Sequence, residues 1–254
     1  MSVQAALRKA FERAQPDFPS GTPFWKDPGC RRALQHHPWL REAAAYLPPD
    51  LETNVFEGQA AIEALWSSYK DHGYGYLFYG LTRRLCPDRC VELGVLQGFS
   101  LLTIASALRD NGRGVVEGFD LFEEYPYHHE AYANVLKRLR TFGLRDRASI
   151  NRAEASQVHA RFDTIDVLHV DLSNTGETYR QIFAQWAGKV KQAIILEGGS
   201  PARDRVDWMV TYGKAPICDA LDEIRSRYAN WEVIVFDPFP SLTLALRMSG
   251  SHGT

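Results

Sequence analysis

The order of apolar runs predicts an α/β fold. We expect a doubly wound, seven-stranded, mostly parallel sheet with a C-terminal antiparallel hairpin, plus an N-terminal helical cap. Three observations lead there. From residue 90 onward, short β-branched runs alternate with helical patterns. The first run, Cys90-Val91-Glu92-Leu93, ends in the glycine turn Gly94-Val95-Leu96-Gln97-Gly98, from which an apolar helix departs. The last two runs, 231–236 and 242–248, are joined by only five residues, too few for a parallel crossover, so they must pair antiparallel.

Before residue 90 the patterns are helical. Val3, Ala6, Leu7 and Phe11 recur at helical spacing over 3–14. Asp27-Pro28 makes a helix start, with proline in the first turn, and Pro48-Pro49 ends a helix running to Tyr46. Ile62, Leu65, Trp66 and Tyr69 continue the period. The aromatic run Tyr74, Tyr76, Phe78, Tyr79 suits packing between cap and core, or a lid whose tyrosine touches a ligand. We therefore divide the chain into a cap (1–72) and a ligand-binding domain (73–254). Further strands are expected at 90–94, 114–119, 148–151, 165–171 and 192–197. Helices are expected at 99–110, 128–142, 154–161, 176–187 and 214–229.

Bulk composition narrows the function. The net charge of −2 provides no basic field to gather nucleic acid. No apolar run reaches the roughly 18 residues that span a bilayer. The four cysteines contain no C-x-x-C pair and read as reduced thiols of a cytoplasmic protein. The expected partner is a small molecule, with neither nucleic acid nor membrane, and a homodimer is left open.

In open α/β sheets, ligands bind beyond the carboxyl ends of the strands. Acids stand at four of those ends: Glu92, Asp120, Asp171 and Glu197. A dinucleotide turn would read G-x-G-x-x-G, which disfavours an NAD-dependent oxidoreductase.

The pattern Glu92-x-Gly94-x-x-x-Gly98 resembles motif I of the class I S-adenosylmethionine-dependent methyltransferases. The element order over about 73–250 is similar to their seven-stranded fold. The resemblance implies S-adenosylmethionine as cofactor and a small polar or natural-product acceptor, methylated on oxygen. An N-methyltransferase and a non-catalytic binding protein are the alternatives. It assigns the cofactor to Glu92, Gly94, Gly98 and Ser100 of the turn, Asp120 and Leu121 after strand two, Ala153 and Glu154 after strand three, and Asp171. Asp120 would take the ribose hydroxyls, and Glu92 the amino group unless it braces the turn. Asp171, His128 and His129 are the catalytic candidates, a histidine serving as base. His169 reads as a packed core histidine. Relatives of the catechol-methyltransferase type hold Mg²⁺ on acids after strands four and five. Asp171 and Glu197 are weak candidates for that role, since two glycines follow Glu197 in place of an Asp-Asn pair. A divalent metal is therefore not favoured. Arg203, Asp204, Arg205, Asp207, Trp208 and Tyr212 could shape the acceptor pocket.

Overall fold

The computed structural model describes residues 19–248, so the pattern over 3–14 lies outside the described residues. Seven strands form one sheet: β1 (Arg89–Leu93), β2 (Val115–Asp120), β3 (Ala148–Arg152), β4 (Ile165–Val170), β5 (Val190–Glu197), β6 (Trp231–Phe236) and β7 (Leu242–Arg247). Their order is β3-β2-β1-β4-β5-β7-β6. The pairs from β3 through β5 are parallel, while β7 runs antiparallel to both β5 and β6. The expected hairpin is present. Because β1 lies between β2 and β4, the chain reverses its winding there, and the crevice above β1 and β4 is the topological switch point where such sheets bind ligands.

Among the described residues the chain forms ten α-helices. They are α1 (Pro28–His36), α2 (Pro38–Ala43), α3 (Gln59–Glu63), α4 (Tyr74–Leu85), α5 (Phe99–Asp110), α6 (Tyr132–Thr141), α7 (Ala155–Val158), α8 (Gly176–Trp186), α9 (Asp207–Thr211) and α10 (Ile217–Arg227). Helix α5 falls on its predicted span and is buried along nearly its whole length, as an all-round apolar pattern requires. Each of Leu101, Leu102, Ile104 and Leu108 is fully covered, contributing about 1.5–3 kcal/mol apiece.

The structure corrects several boundaries. The helix expected from Asp27 to Tyr46 breaks at His37, which is extended because Pro38 follows it. Asp27 caps α1 by accepting from the Cys30 N–H at 2.8 Å. The helix expected through Tyr69 stops at Glu63. Residues 64–69 form a loop in which the Trp66 N–H donates to Gln97 Oε1 at 2.8 Å and Ser67 Oγ accepts from the Tyr69 N–H at 3.2 Å. These side-chain partners offer the backbone an alternative to the helix ladder. The helix expected from residue 128 begins at Tyr132, where Glu130 accepts the Ala131 N–H. The one expected over 154–161 is the single turn α7 followed by a 3-10 turn. The one expected over 214–229 is α10, starting after Pro216.

The aromatic run sits inside α4. Tyr74 donates to the Phe236 and Pro238 carbonyls, Tyr76 to those of Leu51 and Thr53, and Tyr79 to Asp110. Phe24, Leu34 and Leu40 share one buried apolar cluster with α4, α5 and the strands. Packing, rather than a lid, accounts for the run.

Gly94 is where the sheet closes most tightly. Its φ is 85°, and a Cβ there would stand 2.0 Å from the Asp171 carbonyl oxygen. No side chain can enter without parting the ends of β1 and β4. Gly94→Ala should lower the unfolding free energy by about 3 kcal/mol or more in urea titration. A loss below about 1 kcal/mol would contradict this close approach.

Candidate active site

The turn after β1 is held by hydrogen bonds that cross strands. Gly94 N–H donates to the Phe119 carbonyl at 2.9 Å, and Asp171 N–H to the Leu93 carbonyl at 2.8 Å. Asp120, the last residue of β2, then takes the turn itself. Its Oδ2 accepts from the Val95 and Leu96 N–H groups at 2.7 and 3.1 Å, and its Oδ1 from Phe122 N–H at 2.7 Å. Leu96 and Phe122 have φ of 47° and 53°, in the left-handed region that favours glycine. Both of these strained residues donate to the same carboxylate. A carboxylate offers about four lone-pair directions. Three are used here, leaving Asp120 room for one ligand hydroxyl rather than the two expected of it.

Beneath the turn lies a buried polar cluster. Glu92 and His169 are paired in the β1–β4 register, so their side chains share a face. Glu92 is fully buried; its Oε1 accepts from Ser100 Oγ at 2.7 Å. Ser100, assigned to the cofactor, thus braces Glu92. Glu92 Oε2 and His169 Nδ1 are buried without hydrogen-bond partners and lie 3.7 Å apart. The Tyr69 hydroxyl stands 3.3 Å from His169 Nε2. Burial, followed by the Asp171 and Glu197 carboxylates, raises the Tyr69 pKa well above its ordinary value, so the hydroxyl keeps its proton, which it shares between His169 Nε2 and the Asp171 carboxyl. His169 is therefore a core histidine with polar neighbours on both nitrogens.

Asp171 follows β4 beside this cluster. Burial and the neighbouring Glu197 carboxylate push its carboxyl up to about 7, against the opposing pull of His169 and Tyr69. A carboxyl balanced near neutrality can accept a proton from a hydroxyl. Asn174 ties the two strand ends together, donating to the Glu197 carbonyl at 2.8 Å and the Val170 carbonyl at 3.3 Å.

At the end of β5, both carboxylate oxygens of Glu197 accept from Arg203. Nε donates to Oε1 at 2.8 Å and Nη2 to Oε2 at 3.1 Å. Burial opposes the charge on Arg203, but the Glu197 carboxylate outweighs it and holds the guanidinium ionised. Its carbon lies 5.2 Å from the Trp208 ring centroid. Among the described residues, no group of three or more His, Cys, Asp or Glu is arranged to hold a metal ion.

The remaining assigned residues lie at the rim. Ala153 N–H donates to the Asp120 carbonyl at 3.2 Å, which brings the β3 end alongside β2, with Leu121 half-buried beside it. Glu154 is exposed and its side chain caps nothing. His128 and His129 are exposed. His128 packs edge-on against Trp66 with ring centroids 5.0 Å apart, and His129 Nδ1 pairs with the Tyr127 carbonyl. No hydrogen bond links either imidazole to Asp171 among the described residues. Sequence reasoning missed Tyr69 and Trp66, because both fell on apolar positions of a helical period. A surface groove of about 270 Å³, lined by Asp88, Arg89, Asp166 and Lys191 among others, opens at the opposite, amino-terminal edge of the sheet. It is remote from this cluster.

Residues 91–196 match a family model described as a methyltransferase domain. A search of curated proteins finds no match. Among solved structures, SAH-bound methyltransferase PaMTH1 from Podospora anserina is 17% identical; the match covers 98% of this chain and 97% of that one, with a TM-score of 0.53. The O-methyltransferase TomG from Streptomyces achromogenes, involved in tomaymycin synthesis and solved with SAM, is 16% identical over 88% of this chain and 91% of its own, with a TM-score of 0.53. An O-methyltransferase from Bacillus cereus in complex with SAH is 14% identical over 82% and 96%, with a TM-score of 0.56. At such identities the likeness is one of fold.

The Asp171 environment has a measurable consequence. Folded Asp171 keeps its proton up to about pH 7, whereas an ordinary aspartate loses it near 3.8. Stability from this group is full below about pH 4 and is lost as pH rises towards 7. Relative to the parent, Asp171→Asn should therefore gain about 2–3 kcal/mol in unfolding free energy between pH 5 and pH 8. A difference that stays flat with pH would mean that Asp171 titrates like an exposed acid.

Proposed function

We propose that this chain, whose residues 91–196 match a methyltransferase-domain model, is a class I S-adenosylmethionine-dependent methyltransferase that O-methylates a small-molecule acceptor. One observation carries the reading. At the switch point of the sheet, a glycine turn braced by Asp120 lies over Glu92, whose buried Oε2 has no partner. Buried acceptors are ordinarily satisfied. An ammonium group would satisfy this one, and S-adenosylmethionine carries an ammonium on the end that motif I receives. When bound, the cofactor supplies an activated methyl group.

The chain's own residues do the rest. Asp120 holds the turn and has one acceptor direction left for a ribose hydroxyl. Ala153 and Leu121 flank the space beyond β2 and β3, where the adenine belongs. Asp171 sits beside the cluster in a form able to take a proton from an acceptor hydroxyl, which favours oxygen over nitrogen as the methylated atom. The O-methyltransferase activity named for two similar folds agrees with that choice. Most of the acceleration then comes from holding acceptor and methyl group in line.

Calorimetric titration with S-adenosylhomocysteine should give one site per chain. At a hundredfold excess over its dissociation constant, the ligand should stabilise the fold by about 2.7 kcal/mol. Absence of both heat and stabilisation would end the proposal. Asp120→Ala should weaken the same binding by about 1.5–3 kcal/mol, the range for hydrogen bonds to a charged group. Unchanged affinity would remove Asp120 from the cofactor site.

A further inference from the structure

Beyond β5 the structure carries a charged group that the cofactor reading does not use. The β4–β5 register pairs Val170 with Leu196, so Asp171 and Glu197 emerge side by side at the acceptor end of the crevice. A divalent cation placed there would need oxygen ligands from both. Glu197 is poorly placed to give one: each of its carboxylate oxygens already accepts from Arg203, whose fixed positive charge would stand directly against the cation. Arg203 is itself only 6% exposed, and its Nη1 is buried with no hydrogen-bond partner. An unsatisfied buried donor on a permanent cation is costly and calls for an acceptor.

We propose that Arg203 is the built-in cation of the acceptor site. It occupies the carboxylate that a divalent metal would require, and it offers Nη1 to a single oxygen of the acceptor. The local chain is shaped for this. Gly198 and Gly199, with φ of 104° and 115°, turn the backbone away from β5, and Arg203 N–H returns to the Ser200 carbonyl at 3.0 Å. The guanidinium is clamped along its Nε–Nη2 edge by Glu197, with Trp208 packed beside it. Three carboxylates, Glu92, Asp171 and Glu197, surround the crevice. Arg203 supplies a positive charge there that needs no exchangeable ion. A guanidinium N–H meets one anionic or ionising oxygen directly, with no chelating pair of neighbouring oxygens. The acceptor class that follows is a molecule with a lone phenol-like or acidic hydroxyl. This acceptor assignment rests on the methyltransferase reading; the exclusion of metal does not.

The test uses the full chain with and without S-adenosylhomocysteine, Mn²⁺ followed by electron paramagnetic resonance, and 4-nitrophenol as a phenolate probe followed by absorbance. The parent should bind no stoichiometric Mn²⁺ at millimolar concentration. Arg203→Met frees Glu197 beside Asp171 and should bind Mn²⁺ at least tenfold more tightly than the parent, whereas Arg203→Lys, which keeps the charge, should not. With S-adenosylhomocysteine present, 4-nitrophenol should show a phenolate difference band on the parent that Arg203→Met lacks. Stoichiometric Mn²⁺ on the parent overturns the proposal, as does a folded Arg203→Met that binds no better. Absence of the phenolate band on the parent overturns the acceptor role. If Arg203→Met fails to fold, the parent and Arg203→Lys titrations decide. Failure of S-adenosylhomocysteine to bind the parent would count against the cofactor reading alone, because the Mn²⁺ measurement without it still reports on Arg203.

Discussion

The ends of β1 and β4 meet at Gly94, and the geometry of the crevice depends on that contact. A backbone without a side chain lets the turn lie against the Asp171 carbonyl. The same proximity lets Asp171 N–H reach the Leu93 carbonyl, extending the parallel ladder one step beyond the strands. Parallel strands on either side of a reversal then diverge, and the turn between them exposes its N–H groups. Asp120 collects two of those groups and, with Phe122, fixes a conformation that includes two non-glycine residues in the left-handed region. Such strain persists only where its surroundings over-determine it.

Beneath that turn the protein gathers a concentration of ionisable groups, most of them buried. Glu92, Asp171 and Glu197 lie at the ends of three adjacent strands, with His169 between them and Arg203 at one side. Burying charge costs several kcal/mol per ion, and a buried pair seldom repays it through stability alone. Each member therefore survives by its partners: Ser100 for Glu92, Tyr69 for His169, and Arg203 for Glu197. The atoms left over are Glu92 Oε2, His169 Nδ1 and Arg203 Nη1, all buried and without hydrogen-bond partners. Perturbed and underpaired groups gathered at a switch point are what a working site looks like in physical terms.

The N-terminal helices contribute to this site as well as to the core. Residues 64–69 leave the helical path and cross the edge of the sheet, where Gln97 of the turn receives the Trp66 N–H. Arg138 of α6 donates to the Gln97 carbonyl, so the turn is tied from two sides. Tyr69 reaches the cluster from this loop, and Trp66 meets His128 at the rim. One segment thereby joins the N-terminal helices, the glycine turn after β1 and the loop after β2.

The sequence by itself determined the order of strands and helices, the terminal hairpin, the glycine turn and the acids at the strand ends. These follow from local periodicity and from connection length, which neighbouring residues settle among themselves. The span of α5 and the place of Asp120 at the end of β2 were legible for that reason. Tertiary structure decided what those acids touch. Tyr69 lies a hundred residues from His169 and reached it only when the period through Leu65 gave way to hydrogen bonds with Gln97. Arg203 was one charge in a polar loop until Gly198 and Gly199 turned it onto Glu197. His128 and His129, chosen for their chemistry, stayed outside because their loop packs against Trp66 rather than Asp171. Side-chain partnership across the sheet edge depends on distances that no local pattern encodes, so the glycine turn could be read from the chain and the partners of the acids around it could not.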